Sequence, residues 1–258
     1  MINIKNDDEL SIMREAGSRT ATILHKVASK VAPGVTTKEL DEYAAELAIK
    51  FDGKCAFNGY HGFSGNICSS INDEVVHGVP GKRIIRDGDI VSIDFGLIYN
   101  NYIGDTAVTV PAGTISEEWK KLLKVTNESL YAGIGKAIEG NRLSDISNAI
   151  QTVAESAGYS VVRDYVGHGI GKTMHEEPQI PNFGPPGRGP VLKKGMTFAI
   201  EPMINLGSAK TKVLSDGWTV VTIDGNPSAH FEHTISVGIK AAEILTTPIE
   251  NVWKIKKK

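Results

Sequence analysis

Two β-branched runs, DIVSIDFGLIY and NYIGDTAVTV, meet at Asn100-Asn101. Asparagine tolerates positive φ, so this pair reads as a two-residue hairpin turn. The turn fixes a register in which Tyr99 faces Tyr102, Gly96 faces Asp105 and Asp94 faces Ala107. Side chains alternate with period two, so Asp94 and Asp105 share one face as diagonal neighbours, about 7–8 Å apart at Cα. Each interrupts an otherwise apolar strand (Val91, Ile93, Phe95; Ala107, Val108, Val110). Aspartate is disfavoured in strands, and an unpaired buried carboxylate is very costly. Three arrangements answer this: a solvent-facing strand surface, one carboxyl that keeps its proton, or a cation between the two.

The rest of the chain sets that hairpin in an α+β frame. Before it, apolar residues recur at helical spacing from Ile12 to Val31 and stop at Pro33-Gly34. A second helix opens on a Thr36/Glu39 capping box and runs through Phe51, with Gly53 as its expected C-terminal cap. After the hairpin the order repeats. One helix starts at Ser116 and ends near Gly140-Asn141, and another runs from about Ser144 to Gly158. The strand-like runs YSVVRDYV, MTFAIEPMI, WTVVTI and HFEHTISV follow. We expect two similar halves sharing one antiparallel or mixed sheet core, not two independent domains.

Composition narrows the class. The chain has 258 residues, with 28 Lys and Arg against 30 Asp and Glu. That near balance argues against binding nucleic acid through bulk positive charge. No basic n-region with an apolar run opens the chain, and no 18-residue apolar stretch occurs. Cys55 and Cys68 are too few for a disulfide framework. The expectation is a soluble protein of the reducing cytoplasm.

Three more chelating residues stand in strand-like or glycine-flanked segments. Glu201 lies in FAIEPM, and Glu232 in AHFEHTISV. Alternation in the latter puts His230, Glu232, Thr234 and Ser236 on one face. His168 sits between Gly167 and Gly169, where bare backbone allows close approach. Taken singly, each reads as an ordinary exposed or core residue. Four carboxylates and one imidazole together suit hard or borderline divalent ions such as Mn²⁺, Fe²⁺, Co²⁺ or Zn²⁺. Their negative charge exceeds what one such ion needs, which favours two.

NDEVVHGVP, DIVSIDFG, NNYIGDTAVT, GHGIGKTMHEEP, GMTFAIEPM and FEHTI occur in that order. The sequence thereby resembles the type I methionine aminopeptidases of the pita-bread metallopeptidase fold, peptidase family M24. The resemblance runs from the first helix to about Ile244. It implies two pseudo-symmetric halves, each with two helices outside a curved, mainly antiparallel sheet. It implies a single catalytic domain over residues 1–258, without an N-terminal zinc-binding extension or a type II helical insertion. Asp94, Asp105, His168, Glu201 and Glu232 match the five dinuclear metal-ligand positions. His77 and His175 match two histidines that contact substrate. Phe57, Tyr60, Phe63, Cys68, Met174 and Trp218 match the methionine side-chain pocket. Phe57 stands where many bacterial members have Cys, Met174 where Phe is frequent, and Phe63 where Tyr is common. A monovalent-cation site is implied near Asn72 and Ser228.

The implied activity is removal of N-terminal methionine from nascent chains when the second residue is small. Two ions held by shared carboxylates can bridge one water and lower its pKa toward about 7. In that scheme Glu201 shuttles the proton. The free α-amine sits on one metal. His175 holds the carbonyl or the developing oxyanion, and His77 contacts the scissile amide nitrogen or the second residue. The resemblance also implies a monomer. Lys254, Lys256, Lys257 and Lys258 form a tail that could touch ribosomal RNA electrostatically. Two alternatives stand beside this reading: an Xaa-Pro exopeptidase of the same fold, and an inactive binding module. GHGIGKT fails as a P-loop because Val166 stands where glycine is required.

Overall fold

The computed structural model describes residues 2–249. The four helices are α1 (Asp7–Ala28), α2 (Thr37–Lys50), α3 (Glu117–Ile134) and α4 (Leu143–Ser156). The strands of the first half are β1 (Lys54–Cys55), β2 (Cys68–Ile71), β3 (Glu74–Val76), β4 (Ile90–Tyr99) and β5 (Tyr102–Pro111). Those of the second half are β6 (Ser160–Val161), β7 (Gly167–Gly169), β8 (Glu176–Ile180), β9 (Thr197–Ile200), β10 (Met203–Asn205), β11 (Thr211–Val213), β12 (Val220–Thr222), β13 (Ser228–His230), β14 (Glu232–Ser236) and β15 (Glu243–Ile244). No helix among the described residues is long and apolar enough to cross a membrane.

Local chemistry starts the helices. Asn6 accepts from the Glu9 N–H at 2.9 Å while the Glu9 carboxylate takes the Asn6 N–H at 3.0 Å, closing a capping box on α1. Thr36 and Glu39 do the same for α2, as the sequence predicts. Ser116 caps α3 through the Trp119 N–H. Four boundaries differ from expectation, the first being that α1 ends at Ala28 and not at Val31. Helix α3 stops at Ile134, well before Gly140. Helix α4 starts at Leu143, with the Arg142 N–H held by Asp145. After α2 it is Asp52, not Gly53, that takes the left-handed conformation, at φ 55°. Gly53 lacks a side chain for another reason: Leu97 occupies the space a Cβ would fill.

The large sheet runs β1-β4-β5-β14-β9-β7-β8, with β2 on β4 and β15 on β14. It joins the halves at β5–β14, and every pairing between named strands is antiparallel. Two further three-stranded sheets, β13-β10-β6 and β11-β12-β3, correct the expectation of one shared sheet. The cause is that two predicted strands are broken. MTFAIEPMI divides at Glu201-Pro202 and HFEHTISV at Phe231, so each begins in the large sheet and ends in a small one, or the reverse. Proline at 202 has no N–H for the ladder. Of YSVVRDYV, only Ser160–Val161 is strand.

One face of the large sheet is covered by helices. Val91, Ile93, Phe95 and Leu97 pack with α1 and α2, and Phe198, Ile200, Ile235 and Val237 with α3 and α4. Fully buried side chains such as Phe95 and Phe198 each stabilise the fold by about 1.5–3 kcal/mol. Helix α1 lies close on β5 because Gly104 faces Gly17, where a Cβ would meet the Gly17 Cα at 2.8 Å. The residues that alternate with these apolar ones face the other side.

Candidate active site

The Asn100-Asn101 turn forms as expected, with both residues at positive φ (47° and 64°). The register also holds: Tyr99 faces Tyr102, Gly96 faces Asp105 and Asp94 faces Ala107. Strand β14 continues this order, with Glu232 opposite Ala107. The break in the second half leaves the register intact. Ile200 faces His233 before it and Met203 faces His230 after it, which sets Glu201 opposite Glu232. On the far side His168 faces Ala199. Since facing residues share a face, six strands present two adjacent rows. One row carries Cys68, Asp94, Ala107, Glu232 and Glu201. The other carries Gly96, Asp105, Thr234, Ala199 and His168. Small residues between the chelating ones leave the space in front of the sheet open.

The side chains converge. One potential ligand atom each from Asp105, His168 and Glu232 lies within 4.8 Å of the others. The His168 Nε2 is 3.5 Å from Glu201 Oε1 and 4.0 Å from Asp105 Oδ2. The flanking glycines of His168 serve the neighbouring strands: a Cβ on Gly167 or Gly169 would run into the backbone of Ala199 or Glu177. The His168 Nδ1 lies 2.9 Å from the Gly169 carbonyl. A carbonyl only accepts, so the ring proton sits on Nδ1 and the Nε2 lone pair faces the carboxylates.

Burial and mutual repulsion make this cluster costly without a cation. Burial first, then Asp105 and Glu201, push the Asp94 carboxyl well above its ordinary value. Burial pushes Asp105 up to about 7. Glu201 and Glu232 are raised well above theirs by burial and then by Asp105. Burial lowers His168 to about 4, keeping it neutral. Buried Asp94 Oδ1, Asp105 Oδ1 and Glu232 Oε1 have no hydrogen-bond partner. Free acceptor oxygens together with one bare imidazole nitrogen fit a divalent cation.

Beside this cluster lies a cavity of about 210 Å³. Phe57, Tyr60, Phe63, Cys68, Met174 and Trp218 all line it, together with His77, His175 and the acidic cluster. Two of its walls, Met174 and Phe57, press on Gly96, where a Cβ would meet the Met174 Cε at 2.8 Å and the Phe57 ring at 3.0 Å. Phe63 and Trp218 stack edge to face at 5.1 Å. His77 holds a left-handed backbone (φ 59°) and packs edge-on against Tyr165. Burial, then His175, lowers its pKa to about 4. His175 tilts over His168 with ring centroids 4.3 Å apart. Burial and then His61 lower its pKa too.

Three contributors, His61, Asn182 and Lys5, escape the sequence reading, and His230 gains a contact that its placement by alternation did not show. His61 lines the cavity from a left-handed turn position (φ 48°). His230, on the Glu232 face as alternation predicts, brings its Nε2 to 3.8 Å from Glu201 Oε2. Fully buried Asn182 donates to the Glu201 carbonyl at 3.1 Å. Lys5 pairs with Glu176 at 2.6 Å, and Glu176 also accepts the Lys172 N–H at 3.0 Å, anchoring the loop that carries Met174 and His175. Nothing in local sequence marks Asn182 or Lys5, because their partners lie 19 and 171 residues away.

Known proteins share this architecture. A profile of metallopeptidase family M24 matches residues 11–238. Methionine aminopeptidase 1 of Bacillus subtilis is 54% identical over 246 residues, which cover 95% of this chain and 99% of that protein. The methionine aminopeptidase of Clostridium acetobutylicum is 52% identical, with the same coverage. The crystal structure of methionine aminopeptidase from Thermotoga maritima superposes with a TM-score of 0.94 at 47% identity, over 96% of this chain and 100% of that one. Prolidase from Pyrococcus furiosus shares the fold alone, at a TM-score of 0.77 and 22% identity over 95% of this chain and 66% of that one. The match of profile, sequence and structure along nearly the whole chain places it in metallopeptidase family M24, among the methionine aminopeptidases.

Proposed function

We infer that this protein hydrolyses the first peptide bond of chains that begin with methionine, using divalent metal. The observation that carries the reading is the pair of rows on one sheet face, with five chelating residues set beside an aromatic-walled pocket. Asp94, Asp105, His168, Glu201 and Glu232 would hold two divalent ions of the Mn, Fe, Co or Zn type. When bound, such ions supply Lewis acidity and a water activated at neutral pH. Glu201, at the strand break and largely buried but lining the pocket, takes and returns the proton. His175 reaches the scissile carbonyl and stabilises charge that develops there. His77 meets the amide nitrogen or the second residue. The pocket suits methionine, whose unbranched, polarisable thioether makes favourable contacts with rings such as Phe63 and Trp218.

The decisive experiment is mass spectrometry of Met-Ala-Ser-Lys mixed with Ala-Pro-Ser-Lys. Metal-stripped protein is incubated with and without Mn²⁺, Fe²⁺, Co²⁺ or Zn²⁺. The expected result is metal-dependent loss of methionine alone. Loss of alanine would move the protein to Xaa-Pro cleavage, and no cleavage with any metal would leave a binding module. Met-Leu peptides should resist cleavage, and equal turnover of Met-Ala and Met-Leu would refute the demand for a small second residue.

The reading carries with it nascent chain N-termini as substrates, action as a monomer in the cytoplasm, and contact with the ribosome. The lysines of the tail lie outside the described residues. A monovalent cation beside Asn72 and Ser228 belongs to the same proposal. In its support, the Ser228 N–H donates to the Asn72 carbonyl at 2.9 Å, and the facing Asn205 has a buried Oδ1 without a partner.

A further inference from the structure

Tyr60 stands on a turn that closes on itself. Gly59, His61 and Gly62 all take left-handed backbone, at φ 84°, 48° and 89°. The N–H groups of Gly59, Gly62 and Phe63 donate to the carbonyls of Phe63, Gly59 and Tyr60. This turn carries the phenol oxygen to 2.7 Å from the Nδ1 of His175, with the ring centroids 5.4 Å apart.

We propose that Tyr60 is a positioning residue: its hydroxyl donates to Nδ1 of His175 and holds that imidazole in the tautomer whose N–H is on Nε2, facing the reacting carbonyl. The proposal rests on the methionine-releasing reading above. A neutral imidazole has one N–H and one acceptor nitrogen. If Nδ1 carried the proton it would donate to the phenol oxygen, and the phenol hydrogen would turn to solvent. Among the described residues the Tyr60 hydroxyl has no other hydrogen-bond partner. Nε2 would then turn a lone pair toward a carbonyl oxygen that also offers lone pairs. With the phenol as donor, both groups are satisfied and a hydrogen faces the pocket. Burial pushes the Tyr60 hydroxyl pKa up, which keeps its proton in place.

The neighbouring ring supplies the contrast. His168 has a pure acceptor, the Gly169 carbonyl, behind its Nδ1. That leaves the Nε2 lone pair free as a ligand. His175 has a hydroxyl behind its Nδ1, and its Nε2 becomes a donor. Two imidazoles 4.3 Å apart are held in opposite tautomers by partners of opposite character.

Tyr60→Phe tests this, because it keeps the aromatic wall and deletes only the hydroxyl. In the Mn²⁺-loaded full chain, kcat for Met-Ala-Ser-Lys should fall at least about tenfold, toward the 10²–10³ lost when an oxyanion donor is removed outright. KM should stay within about twofold, since uniform binding of the side chain is untouched. In a His175→Ala background the same substitution should change kcat by less than about twofold, because the partner it acts through is gone. NMR of ¹⁵N-histidine-labelled, metal-free wild type should show His175 protonated on Nε2, and Tyr60→Phe should shift it toward a mixture of tautomers. An unchanged kcat, an additive loss in the double variant, or an Nδ1 proton in the wild type would each overturn the proposal. The wild-type spectrum decides the matter even where the variant folds poorly. Failure of the underlying reading is distinct: the wild type itself would then release no methionine with any metal.

Discussion

The two halves of the molecule bring carboxylates to one sheet face by different means. In the first half, Asp94 and Asp105 lie on one unbroken hairpin of two ten-residue strands, β4–β5, closed by a two-residue turn. In the second half, Glu201 and Glu232 stand at the point where two paired strands leave the large sheet for a small one. The register survives the break, so Glu201 and Glu232 face each other directly, whereas Asp94 and Asp105 are diagonal. Continuous ladder bonds hold the hairpin pair. At the break the ladder is interrupted, and side chains take over. Asn182 holds the Glu201 carbonyl, and the Thr109 hydroxyl both donates to the His230 carbonyl and accepts the His230 N–H at 2.8 Å. A hairpin is a rigid mount that needs little support, whereas a strand break frees a carboxylate to move but must be propped from a distance.

The largest effect should not distinguish the halves. Asp94→Asn and Glu232→Gln should each drop methionine release to background and abolish stoichiometric Mn²⁺ binding by calorimetry, with the fold retained. The metal-free Asp94→Asn protein should melt no lower than metal-free wild type, because a neutral amide replaces a carboxyl whose pKa is already raised by burial and its neighbours. Wild-type turnover in either variant would remove that residue from the metal set. The next effect should separate the halves. Asn182→Ala should lower kcat roughly ten- to a hundredfold through a displaced Glu201. It should also cost about 1–3 kcal/mol in urea unfolding by leaving a buried carbonyl unpaired. A stability loss with unchanged kcat would show that the break needs no prop.

Smaller effects concern the supports of each half. Burial alone would raise the Glu176 carboxyl, but Lys5, Asn3 and the Thr173 N–H hold it below its ordinary 4.5. A lowered carboxyl contributes stability above its unfolded value and loses it as pH falls through the folded one. Lys5→Met should therefore be less stable than wild type at pH 7, with the gap closing as pH drops below 4.5. A gap independent of pH would deny the ion pair its role. The smallest effect belongs to the hairpin turn. Asn101→Ala places a Cβ-bearing residue at φ 64° and should cost about 1 kcal/mol. Its kcat should match wild type, and a tenfold loss would show that the hairpin is a softer mount than its register suggests.

Much of the site is legible in the chain because β-structure is locally periodic. The turn chemistry of Asn100-Asn101 and a period of two place Asp94 and Asp105 on one face with no knowledge of the remaining strands. The same alternation gives the His230, Glu232 and Thr234 face even across the break at Phe231. The glycines beside His168 are legible as a sign of close approach, but what approaches is neighbouring backbone. The division of MTFAIEPMI between two sheets is signalled only by Pro202, whose missing N–H says where a ladder stops and nothing of where the chain goes next.

The sequence by itself determined the helix starts at Thr36 and Ser116, the hairpin register, the residue types of the five candidate ligands and, through its motifs, the family. These depend on neighbours a few residues apart, where backbone geometry leaves few choices. Only the tertiary structure decided that the five residues form two rows on one sheet face, that Asn182 and Lys5 brace the site, and that Tyr60 meets His175. Those contacts join positions far apart in the chain, and sheet order, which local periodicity does not encode, is what brings them together.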